Sequence, residues 1–372
     1  MNITDILNSD LPRIAVLFGG NSSEYPVSLS SGSAVLQAID TSRFLPVPIG
    51  ITKDGSWFLY TGDYEEIAAD RWMRPEDCCP ICFSGQQSSH GFLLSPSPEN
   101  KDAHQSVFLS VRAVLPILHG KNGEDGTVQG LLALLGIPVI GCGILCSSLC
   151  MDKERAHQIA SSLGISVPKS CVTCGEPSKE ELSRIAGSLG YPLFVKPLRA
   201  GSSFGITCVQ NEDQLFSAVQ EALVYDNRIL LEEKIEGFEV GCAIMGRNTL
   251  SPDQLIIGDV DEIELTDGFF DYTEKYTLKT SKIHVPARIS SEKAAEIKDT
   301  AMRLYLGLDC DFFARVDMFL TPDGNIYFNE INTIPGFTSH SRFPGMMKSR
   351  GIDFASLVNQ LIEMEVSDER NA

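Results

Sequence analysis

Residues 328–344, FNEINTIPGFTSHSRFP, set an acid and an amide two apart, Glu330 and Asn332, then turn through Pro335 and Gly336 into hydroxyls and a guanidinium. Residues two apart on a strand share a face. Upstream, Asp317 sits in the apolar run FFARVDMFL, and TPDG separates that run from GNIYFNEI, a hairpin signal. Such a hairpin brings Asp317 across from 328–332 on one sheet face. Asp317, Glu330 and Asn332 offer a few hard oxygen ligands, which suits Mg²⁺ bound together with substrate phosphates. The competing reading is a solvated acidic hairpin, and the apolar strands around these acids argue against it. Arg315, two residues before Asp317, shares the face and could hold a developing anion.

Phosphates need donors. RAGSSFG, 199–205, has glycines that let backbone N–H groups turn onto an anion, and Ser202 and Ser203 add hydroxyls. Taken alone, a glycine-serine loop is usually only a loop. Here Lys196 closes the apolar strand LFVK beside it, and Lys153 in MDKERA is a second candidate cation. Glu232 and Glu233 end the apolar strand RILLEE, with Glu239 just past Gly237, where carboxylates can hold ribose hydroxyls near an adenine edge. Glu24 follows the first strand in GGNSSEYPVS, and His119 follows another in LHGKNGEDG; two loops at one sheet end suggest a cleft. FFDYTEKY, 269–276, is aromatic and charged without a period, and reads as a lid.

The elements behind these residues suggest three units. Residues 1–142 repeat strand, glycine loop and helix, which predicts an open parallel α/β domain; 60–105 within it reads as polar surface excursions with an edge hairpin. Residues 143–237 predict a small α+β unit. Residues 238–372 predict long strands, including one over 254–265, a helix over 291–308 and the hairpin. The chain has 372 residues, 43% hydrophobic and 21% charged, as in ordinary globular proteins. No apolar run has membrane-span length, and no basic region precedes the first apolar stretch. A net charge of −19 argues against nucleic acid and anionic membranes as partners, and favours a small substrate or metal-bound phosphate. The 11 cysteines, odd and scattered, suggest a reducing cytoplasm. Cys79 with Cys82, and Cys171 with Cys174, have zinc-like spacing but unlike contexts, and read as free thiols. Cys142, Cys146 and Cys150 read as one buried helix face.

Together FGGNSSEYPVSL, LHGKNGEDGTVQG, MDKERA, KPLRAGSSFG, EGFEV, DYTEKY, RVDMF and NEINTIPGFTSHS resemble the D-alanine–D-alanine ligase family over essentially the whole chain. GFFDYTEKYTLKTSKI and NTIPGFTSHSRFP look most like its VanG-type D-alanine–D-serine ligases of vancomycin resistance. The resemblance implies an ATP-grasp fold preceded by the α/β domain, with substrate binding in the first unit and the metal site and lid in the third. It implies that ATP phosphorylates a first D-alanine and that a second D-amino acid, D-serine favoured, attacks the acyl phosphate. Two Mg²⁺ (or Mn²⁺) would sit on Asp317, Glu330 and Asn332, with Glu330 bridging. Lys153, Lys196, Ser203, Glu232, Glu233, Glu239 and Lys275 would bind ATP. Arg315 and the Gly336 N–H would stabilise the transition state. Glu24 would anchor the first substrate and form a triad with Ser202 and Tyr276. His119, Asp261, Phe270, Ser341 and Arg342 would contact substrate. Arg342 stands where the D-alanine enzymes tend to have Leu, and Lys275 with Tyr276 departs from the D-lactate enzymes. The implied setting is cytoplasmic peptidoglycan precursor synthesis by a homodimer, and the rival reading is a housekeeping D-alanine–D-alanine ligase.

Overall fold

The computed structural model describes residues 2–83, 90–95, 106–265 and 281–367. Three sheets follow one another along the chain. The first contains β1 (Arg13–Gly19), β2 (Leu45–Ile51), β3 (Trp57–Tyr60), β4 (Cys78–Cys82), β5 (Gly91–Leu94), β6 (Val107–Ser110) and β7 (Ala113–Pro116), in the order β6-β5-β4-β3-β2-β1-β7. β1 runs parallel to β2 and β7. From β2 outward the pairs are antiparallel, so the 60–105 stretch lengthens the sheet with β4 and β5. β1 buries both faces: Ile14, Val16 and Phe18 enter one core, Ala15 and Leu17 another. That explains its unbroken apolar run. The helix Tyr25–Ala38 lies close on β1 at Gly32, where an added Cβ would meet the Phe18 Cβ at 2.5 Å.

The second sheet is antiparallel: β8 (Ser170–Cys174), β9 (Leu193–Pro197), β10 (Thr207–Val209) and β11 (Arg228–Glu233), ordered β10-β9-β11-β8. Helices Lys179–Leu189 and Glu212–Ala222, each capped by a side chain, Ser178 and Asn211, cover its apolar face.

The third sheet holds β12 (Phe238–Gly246), β13 (Ile256–Ile257), β14 (Asp261–Leu265), β15 (Ser281–His284), β16 (Phe312–Leu320) and β17 (Ile326–Asn332). Its order is β15-β14-β12-β16-β17, with β13 on β12. The single strand expected over 254–265 is two: between them an added Gly258 Cβ would lie 3.0 Å from Met346 Cβ, and Asp259 N–H donates to the Met346 carbonyl at 3.2 Å instead of to a neighbouring strand. Helix Ser291–Gly307 packs beneath, and helices Ile144–Met151 and Lys153–Ser162 add their apolar residues to the same core. Helix Phe354–Val366 returns to the first sheet's core, where Leu357 and Leu361 join Val35 and Leu36.

Candidate functional site

β12, β16 and β17 bring the charged residues together. Asp317 pairs with Glu330 and Arg315 with Asn332 across the hairpin. The register slips between Asp317 and Met318, a bulge that leaves Asn329 unpaired with β16. The bulge lets Phe328 enter the core while Glu330 and Asn332 take the opposite face. The Asn329 carbonyl instead accepts His157 Nε2–H at 2.9 Å.

On that face charges are chained. Arg315 donates to both oxygens of Asp317, Nε to Oδ1 at 2.8 Å and Nη2 to Oδ2 at 2.7 Å, and the Asn332 amide donates to Oδ2 at 2.9 Å. Arg342, at the start of helix Arg342–Lys348, reaches Asp317 at 3.4 Å and donates two bonds to Asp261 at 2.7 and 2.8 Å. Its third branch donates to Glu239 at 2.6 Å. Asp261 is 0% exposed. Burial works against both guanidinium charges, but Asp317 raises the Arg315 pKa and Asp261 lifts Arg342 well above the ordinary value. Gly241 lies directly beneath: a Cβ there would sit 2.5 Å from Arg342 Nη2 and 2.6 Å from Asp261 Oδ1. A glycine inside an apolar strand is the one sequence sign of that close approach.

Between the second and third sheets lies a cavity of about 380 Å³. Lys153, Lys196, Ser202, Ser203, Glu232, Glu233, Glu239 and Glu330 all line it. Lys153 donates to the Ala200 carbonyl at 2.9 Å and lies 3.7 Å from Glu330, so it joins the glycine loop to the hairpin. Lys196 is hydrogen-bonded to Glu232, whose Oε2 is buried without a partner among the described residues. Ser202 and Ser203 have φ of 48° and 60°, a left-handed turn that side chains rarely adopt. The walls also include Phe194, Phe238, Phe319 and Arg288, which the sequence reading did not single out. Arg288 is tied to Glu262 and Glu264. Hard oxygens from Asp317, Glu330 and Asn332 beside a lysine-lined cavity fit a divalent cation carrying phosphate.

The first sheet meets this region through Glu24, which is buried and accepts from Ser202 Oγ. Gly120 and Gly201 crowd its Oε2, which would lie 2.2 and 2.7 Å from their added Cβ atoms. His119 is neutral: burial pushes its pKa down to about 4, against the Ile334 carbonyl bond. Its Nδ1–H donates to Ile334 O at 2.9 Å, so Nε2 accepts from Ser31 Oγ at 3.1 Å. Phe337 N–H donates to the same Ser31 Oγ at 3.4 Å. Glu124, absent from the sequence reading, accepts Gly120 N–H at 2.8 Å and Ile334 N–H at 3.0 Å. Removal from water, then Glu24, push it up to about 8. Its only sequence sign is a second acid-bearing glycine loop after His119.

In the turn after β17, Ser341 Oγ accepts from Thr338 N–H at 3.1 Å and lies 3.1 Å from an added Gly336 Cβ. Phe337 stacks on Phe343 at 5.7 Å and meets Phe313 at 5.2 Å, which anchors the turn. Phe270, Lys275 and Tyr276, and with them the lid, lie outside the described residues. The two CxxC pairs stand on β4 and β8, in different sheets, and do not converge. Among the described residues no helix is long and apolar enough to cross a membrane.

Two family descriptions match: D-ala D-ala ligase N-terminus over residues 13–142 and D-ala D-ala ligase C-terminus over 159–363. The chain is 42% identical to the vancomycin C-type resistance protein VanC1 of Enterococcus gallinarum, over 97% of this chain and 100% of that one. It is 39% identical to a D-alanine–D-alanine ligase of Caldicellulosiruptor bescii, over 96% of each. Among solved structures, the VanG D-Ala:D-Ser ligase from Enterococcus faecalis aligns with a TM-score of 0.85 and 50% identity, over 96% of this chain and 100% of that one. The family's ligases use ATP with Mg²⁺, and its structures share the mixed α/β ATP-grasp fold found here. With both halves matched and full-length relatives at this identity, the chain belongs to the D-alanine–D-alanine ligase family.

Proposed function

We propose that this ligase joins D-alanine to D-serine through a D-alanyl phosphate, for peptidoglycan precursors that evade vancomycin. ATP occupies the 380 Å³ cavity. Lys153, Lys196 and the Ser202–Ser203 turn take its phosphates, and Glu232, Glu233 and Glu239 take the adenine and ribose side; Lys275 joins them from the lid. Magnesium (or manganese), held by Asp317, Glu330 and Asn332, supplies charge neutralisation at the transferring phosphoryl group. The carboxylate of the first D-alanine attacks the γ-phosphorus and ADP leaves. The amine of the second substrate then attacks the acyl carbon, and phosphate leaves. Glu24 anchors the first ammonium, held in place by Ser202. Arg315 and the Gly336 N–H face the tetrahedral oxyanion, and Ser341 meets the acceptor carboxylate. The adjacent placement of donor and acceptor lowers the entropic part of the barrier.

The observation that carries the acceptor assignment is the buried Arg342–Asp261 pair beside that turn. All three branches of the Arg342 guanidinium are engaged by carboxylates, so Arg342 acts as a brace that fixes Asp261 at the acceptor end. A fixed polar frame there favours an acceptor that brings a hydroxyl to it over one that brings only a methyl group. The 50% identity to a D-Ala:D-Ser ligase supports the same reading. Equal D-alanine and D-serine with ATP and Mg²⁺ at neutral pH are expected to yield mainly D-alanyl-D-serine. Mainly D-alanyl-D-alanine would establish the housekeeping reading instead.

A further inference from the structure

On the far side of β16 from the charged network, four cysteines meet. Cys142 precedes helix Ile144–Met151, Cys146 and Cys150 lie one turn apart on it, and Cys310 stands just before β16. All four are buried. Cys146 Sγ lies 3.8 Å from Cys150 Sγ and 3.5 Å from Cys310 Sγ. The Sγ atoms of Cys142, Cys146 and Cys310 lie within 4.8 Å of one another. Among the described residues these three are the one group of three or more His, Cys, Asp or Glu whose donor atoms converge so closely.

A thiol packs well as a small apolar group, and one or two in a core need no other account. Four are a donor set. Zinc–sulfur bonds of about 2.3 Å in a tetrahedron put the sulfurs about 3.8 Å apart. The two separations from Cys146, 3.5 and 3.8 Å, are close to that value; Cys142, Cys146 and Cys310 already converge, and Cys150 stands beside Cys146 as the fourth donor. The helix supplies two ligands at i and i+4, and two other backbone segments supply the rest, so the cluster is held from three directions. The Asp311 N–H points at Cys142 Sγ at 3.5 Å, the kind of donor a buried thiolate needs.

We propose that Cys142, Cys146, Cys150 and Cys310 bind one zinc-class cation as a structural site. Each S–H releases its proton to solvent as its sulfur–metal bond forms, and no electrons are transferred. The ion clamps helix Ile144–Met151, which leads into Lys153, to the strand that carries Arg315 and Asp317. Metal loading therefore stiffens the frame of the ligase site without touching it.

The test uses the full chain, reduced and freed of metal with a chelator, then titrated with Co²⁺ and with Zn²⁺ alone. The expected result is one equivalent per chain, with the intense visible and near-ultraviolet bands of tetrahedral cobalt thiolate. Those bands are lost in Cys146→Ala and kept in a variant with Cys79, Cys82, Cys171 and Cys174 all changed to Ala. Should Cys146→Ala fail to fold, X-ray absorption at the zinc edge of the loaded wild type decides, with four sulfur neighbours at about 2.3 Å expected. No thiolate bands, bands that vanish with the four other cysteines, or a zinc shell of oxygen and nitrogen would each overturn the proposal.

Discussion

β16 has two faces of opposite chemistry. Ala314, Val316, Met318 and Leu320 point into an apolar core that they share with the cysteine cluster. Arg315 and Asp317 point the other way, into a chain of charges that runs through Arg342 to Asp261 and Glu239. Both faces are almost dry, since every residue from Phe312 to Met318 is buried. They solve desolvation differently. The apolar face needs only shape. The polar face needs each charge matched, because an unpartnered buried charge costs several kcal/mol. Where Glu330 opens on the cavity, the chain of charges reaches solvent, and chemistry becomes possible there. Side chains on the two faces should therefore fail in different ways, one set in turnover and the other in stability.

The sharpest separation is expected from Glu330→Gln. It keeps the shape and removes one carboxylate beside Lys153. Turnover should drop by about 10³-fold or more, as when a main transition-state electrostatic partner is removed, while the melting temperature moves by only a few degrees. Near-wild-type turnover at millimolar Mg²⁺ would take the metal role away from this face. Arg342→Leu comes next and breaks the comparison in stability instead. It strands Asp261 at zero exposure, which should cost about 3–5 kcal/mol in urea melts. Adding Asp261→Asn should restore part of that loss. Equal stability of the single and double variants would mean that the pair is not coupled.

The charged face was legible in the sequence for a reason: acids and arginines in apolar strands stand out. Asp317, Glu330, Asn332 and Arg315 were found that way. What carries no local signature was not found. The Asn329 bulge is one such feature, since in an unbroken strand Phe328 would share a face with Glu330. The engagement of Arg342 by Asp261 joins residues 81 apart, and periodicity cannot reveal it. The break in the 254–265 strand depends on where Met346 falls. The apolar runs FFARVDMFL and RILLEE read as buried strands at once, because an apolar run needs only burial to be recognised. The cysteine repeat was visible too, but Cys310, the fourth sulfur, lies 164 residues from Cys146.

Burial beside the charged face gives His119 a pH dependence of its own. Burial holds His119 neutral with a pKa of about 4, and Arg315 adds to the effect. In the unfolded chain the same imidazole protonates near pH 6.5. The unfolded state therefore binds the extra proton between those values. His119 contributes its full stabilisation above about pH 6.5 and loses it as pH falls toward 4, by about 3 kcal/mol. Wild type and His119→Gln, melted in urea across this range, should differ by that changing amount. A difference that stays constant with pH would mean that the ring is not kept neutral.

The smallest effect belongs to the apolar face. Val316 is fully buried between Arg315 and Asp317 in sequence, and it points away from both. Val316→Ala removes two methyl groups and leaves a small cavity in a core of Val240, Ile244, Leu304 and Phe328. The lost transfer energy and the cavity together should cost about 2 kcal/mol. Assayed well below its melting temperature, the variant should keep its turnover and its D-serine to D-alanine product ratio. The backbone of β16 is held by β12 on one side and β17 on the other, so a missing methyl on one face has little leverage on the other. If turnover instead fell by tenfold or more while the protein stayed folded, the two faces would be mechanically coupled through the strand. Packing behind the charges would then be part of how they are positioned.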